Sequence, residues 1–129
     1  EALAGDHVRV HGYLSDDDLA ALYRRVGAAV VPLRFGAGVK GKVIEAIRHN
    51  VPLVTTPVGA EGIPEAGSVM WIEESAEALA RRLAEISAGT AAVRGDREAR
   101  SSWLNRHFSI ETAARLIRRD REAMFASRP

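Results

Sequence analysis

The chain has no cysteine, which excludes a disulfide framework, a thiolate zinc site and a cysteine nucleophile. A reducing compartment fits that composition. No apolar run approaches the roughly 20 residues needed to span a bilayer, and no signal-peptide pattern is present. Charge of one sign is also lacking: the formal net charge is +1, which by itself argues neither for nor against nucleic acid, although basic residues gather towards the C-terminus. The scarcest cation is lysine. There are 16 arginines and only two lysines, Lys40 and Lys42, and both fall in one glycine-rich loop. In an arginine-dominated chain that placement suggests a task for a compact ammonium.

The 129 residues suffice for one domain with a real core, and 47% apolar with 27% charged residues is an ordinary globular composition. The chain begins at Glu1, not methionine, and is expected to be a piece of a longer protein.

The stretch from Ala28 to Thr56 organises the rest. An apolar run, Ala28-Ala29-Val30-Val31-Pro32, predicts a strand and leads into Gly36, Gly38 and Gly41. Lys42 to His49 predicts a helix and Leu53 to Thr56 the next strand. A strand, a glycine-rich turn and a helix N-terminus make an anion site, because backbone N–H groups point outward and the dipole favours negative charge.

In chain order, Glu1 to Gly5 predicts a helix tail, and His7 to Gly12 alternates as a strand with Val8 and Val10 on one face. Ser15-Asp16-Asp17-Asp18 predicts a helix start with Ser15 as cap, and Leu19, Leu22, Tyr23 and Val26 keep a helical stripe up to Gly27. The three aspartates read as a cap, since consecutive acids in a first turn do not converge on one ion; no metal is expected. Asn50 stands where a left-handed helix end is wanted, ahead of Pro52. Pro57 to Gly67 predicts a long loop, and Val69 to Ile72 a last strand. Ser75 caps a helix to about Ile86, Thr90 to Arg106 is a weaker helix broken near Gly95, and Ser109 caps a final helix carrying Leu116, Ile117, Met124 and Phe125.

Strands alternating with helices define an α/β class with a Rossmann-like parallel sheet and flanking helices. Ligands of such sheets sit at the carboxyl ends of strands, so the Gly12-Tyr13, Gly36-to-Lys42 and Pro57-to-Gly62 loops are expected to gather at one edge. Gly36 to Lys42 matches the first part of a P-loop, G-x4-G-K, but Val43 stands where Ser or Thr would hold Mg²⁺. No strand end supplies a metal-binding aspartate either. Phosphate cradling survives this test, and NTP hydrolysis does not. Glu45, one turn beyond Lys42, is placed to accept two hydrogen bonds from a sugar diol.

Taken together, the run Val31 to Ile47 followed by Val51 to Gly62 resembles the donor-binding domain of group 1 glycosyltransferases, the family-4-like retaining enzymes of the GT-B fold. Val8 to Leu14 is similar to the family's preceding strand and base-side loop, and Phe108-Ser109 to its C-terminal helix start. The resemblance implies a partial C-terminal donor-binding domain over residues 1–129, with the acceptor domain and the first strands of this domain absent. It implies a diphosphate held at Gly36, Gly38, Val39, Lys40, Gly41 and Lys42, a ribose on Glu45, and a base near Tyr13 and Leu14. The implied reaction moves a sugar from a nucleotide-diphosphate donor to an acceptor hydroxyl, with the departing charge stabilised by N–H groups and cations. Many relatives carry a glutamate eight positions before the helix glutamate; here that residue is Ala37.

The family's strand order, 3-2-1-4-5-6, makes Val8–Gly12 strand 3 and Ala28–Pro32 strand 4. The chain is then expected to pair these two directly or to complete its sheet with a second copy, since an open edge is sticky. The expected partner is a nucleotide sugar, with no nucleic acid and no cofactor. The expected location is cytoplasmic, and Arg115, Arg118, Arg119 and Arg121 suggest a helix that contacts the membrane's inner face. The alternative is a non-catalytic α/β module that binds a nucleotide or assembles through its open edge.

Overall fold

The computed structural model describes residues 6–92 and 94–126. The predicted helix tail at Glu1–Gly5 lies outside them, as do the side chains of Met124 and Phe125. Three parallel strands, β1 (Ala29–Val31), β2 (Leu53–Thr55) and β3 (Trp71–Ile72), stand in the order β1-β2-β3. The register pairs Ala29 with Leu53, Val31 with Thr55, and Val54 with Trp71. Six helices accompany them among the described residues: α1 (Asp16–Tyr23), α2 (Gly41–Arg48), α3 (Pro57–Ala60), α4 (Ala76–Ser87), α5 (Arg97–Phe108) and α6 (Ile110–Ala126). The predicted α/β class with a parallel sheet is the one observed.

β2 is buried on both faces, and its alternation divides the core. Leu53 joins Val43, Ile47, Met70 and Trp103 on the side covered by α2 and α5. Val54 joins Trp71 and Leu79 on the side covered by α4, with Leu83 and Ile86 packed against them. Strands buried on both faces read as continuous apolar runs, which is how Leu53-Val54 reads. On α2, Val43, Ile44, Ala46 and Ile47 are all buried; each large one contributes on the order of 2 kcal/mol by leaving water.

Sequence-encoded caps set most helix ends. The Ser15 hydroxyl accepts from Asp18 N–H at 3.2 Å and donates to the Asp18 carboxylate at 2.7 Å. Ser75 accepts from Ala78 N–H at 3.1 Å and Ser109 from Thr112 N–H at 3.1 Å. Asn50 takes the left-handed conformation, φ 58°. Its N–H bonds the Ile47 carbonyl at 2.9 Å while Val51 N–H reaches Ala46 at 3.1 Å, the paired bonds of a Schellman motif.

Three expectations are corrected. Among the described residues the His7–Gly12 strand does not form: only Val8 has bridge geometry, and the run joins neither edge of the sheet. Val8 and Val10 stay 49% and 60% exposed; two alternating valines without a neighbouring strand among the described residues bury too little to offset backbone ordering. Direct pairing of this run with β1 is therefore not what the chain does. The Pro57–Gly67 loop contains α3 and a short 3-10 turn at Ala66–Ser68, because Thr56 caps a helix whose first residue is proline. The weak Thr90–Arg106 helix begins only at Arg97, where the Asp96 carboxylate accepts from Ala99 N–H at 2.8 Å. Gly95, φ 69°, turns the chain ahead of it.

α1 buries no residue fully. Its predicted stripe, Leu19, Leu22, Tyr23 and Val26, instead lines a concavity of about 220 Å³ beside β1, with Val30 44% exposed. α6 leaves Ile110, Leu116 and Ile117 exposed. No helix among the described residues is long and apolar enough to cross a membrane.

Candidate functional site

The glycine loop follows β1 and two threonines of β2's end anchor it. Thr55, fully buried, donates its hydroxyl to the Val31 carbonyl at 2.8 Å. Thr56 donates to the Leu33 carbonyl at 2.5 Å and accepts from Gly59 N–H at 3.2 Å. The exit from β1 is thereby pinned to β2 before the chain reaches Gly36. Gly36 and Gly38 then adopt φ 131° and 74°, conformations that side chains oppose. The turn delivers Lys40 as the N-cap of α2, and no side chain caps this helix. Val43 N–H bonds the Lys40 carbonyl at 3.0 Å, so the N–H groups of Gly41 and Lys42, ahead of it, have no intrahelical acceptor.

The second loop closes against the first. The Lys40 ammonium lies 3.5 Å from the Glu61 carboxylate and also donates to the Gly38 carbonyl. A Cβ on Gly62 would stand 3.2 Å from a Val39 methyl, so the two loops touch at that point. Gly59 is required one turn earlier: a Cβ there would fall 1.9 Å from the Thr55 hydroxyl. The Lys40 side chain is only 11% exposed and is drawn into the loop, while Lys42 is exposed. Phe35, 86% exposed, stands at the loop's rim.

Glu45 is half-buried on the outward turn of α2. Tyr23 lies near it: burial first, and then the charge of Glu45, raise the phenol above its usual value. Tyr23 also stacks on His49, ring centroids 4.6 Å apart. Of the remaining predicted positions, Tyr13 is 97% exposed and packs against none of these groups, and Leu14 shares a concavity with Asp18 and Leu22 of α1. Two of the three expected loops therefore meet. Among the described residues, no group of three or more His, Cys, Asp or Glu could hold a metal ion.

Thr55, Thr56, Gly59 and Glu61 carry no predicted role from spacing alone. Thr-Pro at a strand end was the legible signal, since it encodes a cap followed by proline at the first helical position.

Chemically, the arrangement offers two unpaired N–H groups, a helix dipole and an ammonium to an anion, with a carboxylate one turn beyond it. It is the nucleotide-binding-like end of an α/β sheet. A family model for the glycosyl transferases of group 1 matches residues 1–88, about two-thirds of the chain and all of the β1–α2–β2 unit. The chain belongs to that family. No curated protein and no solved structure matches it.

Proposed function

We propose that this chain is the donor-binding part of a retaining, nucleotide-sugar-dependent glycosyltransferase. It receives the diphosphate on the backbone of Gly36, Gly38, Val39, Lys40, Gly41 and Lys42. The uncapped N-terminus of α2 behind two positive-φ glycines is the observation that carries this reading. Glu45 takes the ribose hydroxyls, and Tyr13 and Leu14 lie on the base side. The developing charge on the departing diphosphate meets preorganised N–H groups and the Lys42 ammonium. The acceptor side of the cleft belongs to the rest of the parent protein, so the chain alone binds donor without transferring sugar.

Isothermal titration of UDP, GDP and ADP into the chain and into Glu45→Ala tests this. One diphosphate saturates the chain, and the variant weakens it by about tenfold, the loss of a hydrogen bond to a charged group. A folded chain that binds none, or a variant that binds as well as its parent, refutes the proposal.

The open side of β1, with Val30 exposed beside an apolar concavity, favours a second reading: a module that assembles with another copy through that edge. Sedimentation showing a monomer at every concentration would refute it.

A further inference from the structure

We propose that the cavity between the C-terminal end of α2 and one face of α5 is a binding site for a small organic anion, separate from the glycine loop. The cavity holds about 420 Å³, within the range of small-molecule sites. Arg48, Arg97, Arg100 and Asn105 line it, with Leu104 and Phe108 forming an apolar part, and no carboxylate is among its lining residues. Three arginines thus line one concave space.

Two arginines elsewhere meet acids. Arg82 lies 2.9 Å from Glu73 and 2.5 Å from Glu85, and Arg106 lies 3.3 Å from Glu65. Among the described residues, no ion pair of this kind engages Arg48, Arg97 or Arg100. Arg100 is the informative one, being only 4% exposed. Its Nε donates to the Arg94 carbonyl at 3.1 Å, and the residue lines the cavity. A buried guanidinium without a counter-charge is costly. Arg97 and Arg100 also sit in the first turns of α5, the positive end of its dipole, where cations are disfavoured. An anion in the cavity relieves both penalties at once.

The ligand's chemistry follows from the lining. Guanidinium forks grip phosphate or carboxylate through paired hydrogen bonds, so the head is one of these. Leu104 and Phe108 suit a short apolar body, so the ligand is larger than a bare ion. The eight residues of α2 separate this site from the glycine loop by about 12 Å along the helix axis.

The test titrates phenyl phosphate, benzoate, inorganic phosphate and phenol into the chain at low salt. Phenyl phosphate or benzoate is expected to saturate one site, and which of them does identifies the head group. Inorganic phosphate binds more weakly, and phenol does not saturate. Arg48→Gln and Arg97→Gln, both at exposed positions, each lower the affinity by about tenfold. Arg81→Gln, on the solvated face of α4, leaves it unchanged. Absence of saturation by both organic anions overturns the proposal, as does equal binding by phenol. Unaltered affinity in the Arg48 and Arg97 variants overturns it as well.

Discussion

Replacing Gly59 with alanine tests how the two loops are joined. The added Cβ falls 1.9 Å from the Thr55 hydroxyl, 3.3 Å from its Cβ and 3.3 Å from the Val31 carbonyl. Thr55 is fully buried and its hydroxyl satisfies that same carbonyl, so it has nowhere to withdraw without breaking the bond. Overpacking of this kind costs about 1–3 kcal/mol, and an orphaned buried polar group about 1–3 kcal/mol more. Alanine returns at most about 1 kcal/mol through helix propensity and a less free unfolded chain. Steric displacement wins, with a net loss of about 1–5 kcal/mol out of a typical total of about 5–15 kcal/mol.

Urea unfolding of the wild type, Gly59→Ala, Thr55→Ala and the double variant isolates the contact. In the Thr55→Ala background the hydroxyl is gone, and the Gly59→Ala cost falls to what the Val31 carbonyl still imposes. Equal costs in the two backgrounds would refute the reasoning, because they would place the penalty somewhere other than the Thr55 hydroxyl.

Asn50 holds φ 58° at the end of α2, so Asn50→Ala loses about 1 kcal/mol or slightly more in urea unfolding while Asn50→Gly stays near the parent. If alanine and glycine behaved alike there, the left-handed cap would not be what ends the helix. The Tyr23 phenol is raised above 10.0 by burial and then by Glu45. Between its unfolded and folded values the folded chain keeps a proton that the unfolded chain has released, so stability falls as pH climbs past about 10. Tyr23→Phe flattens that alkaline decline, as measured by urea unfolding at about pH 9 and about pH 11; an unchanged slope would contradict the assigned shift.

Caps and strands were legible because their causes are local. Ser15, Ser75 and Ser109 each bond an N–H three residues on, and Asn50 closes α2 with groups within five residues of itself. The strand residues Ala29–Val31 and Leu53–Thr55 announce themselves through apolar, β-branched runs. His7–Gly12 shows the limit of that signal. Its alternation matches a strand, yet pairing is a property of two segments, and the sheet gives it no neighbour.

The sequence by itself determined the α/β class, the alternation of β1, α2 and β2, and the glycine turn before α2. Each depends on periodicity, caps or backbone freedom within a few residues. Tertiary structure alone decided that Thr55 and Thr56 anchor the start of the glycine loop from 24 and 23 residues away. It also turned Lys40 towards Glu61 while leaving Lys42 exposed, and gathered Arg48, Arg97 and Arg100 around one cavity. Such contacts join segments distant along the chain, and their geometry exists only once the sheet has brought those segments together.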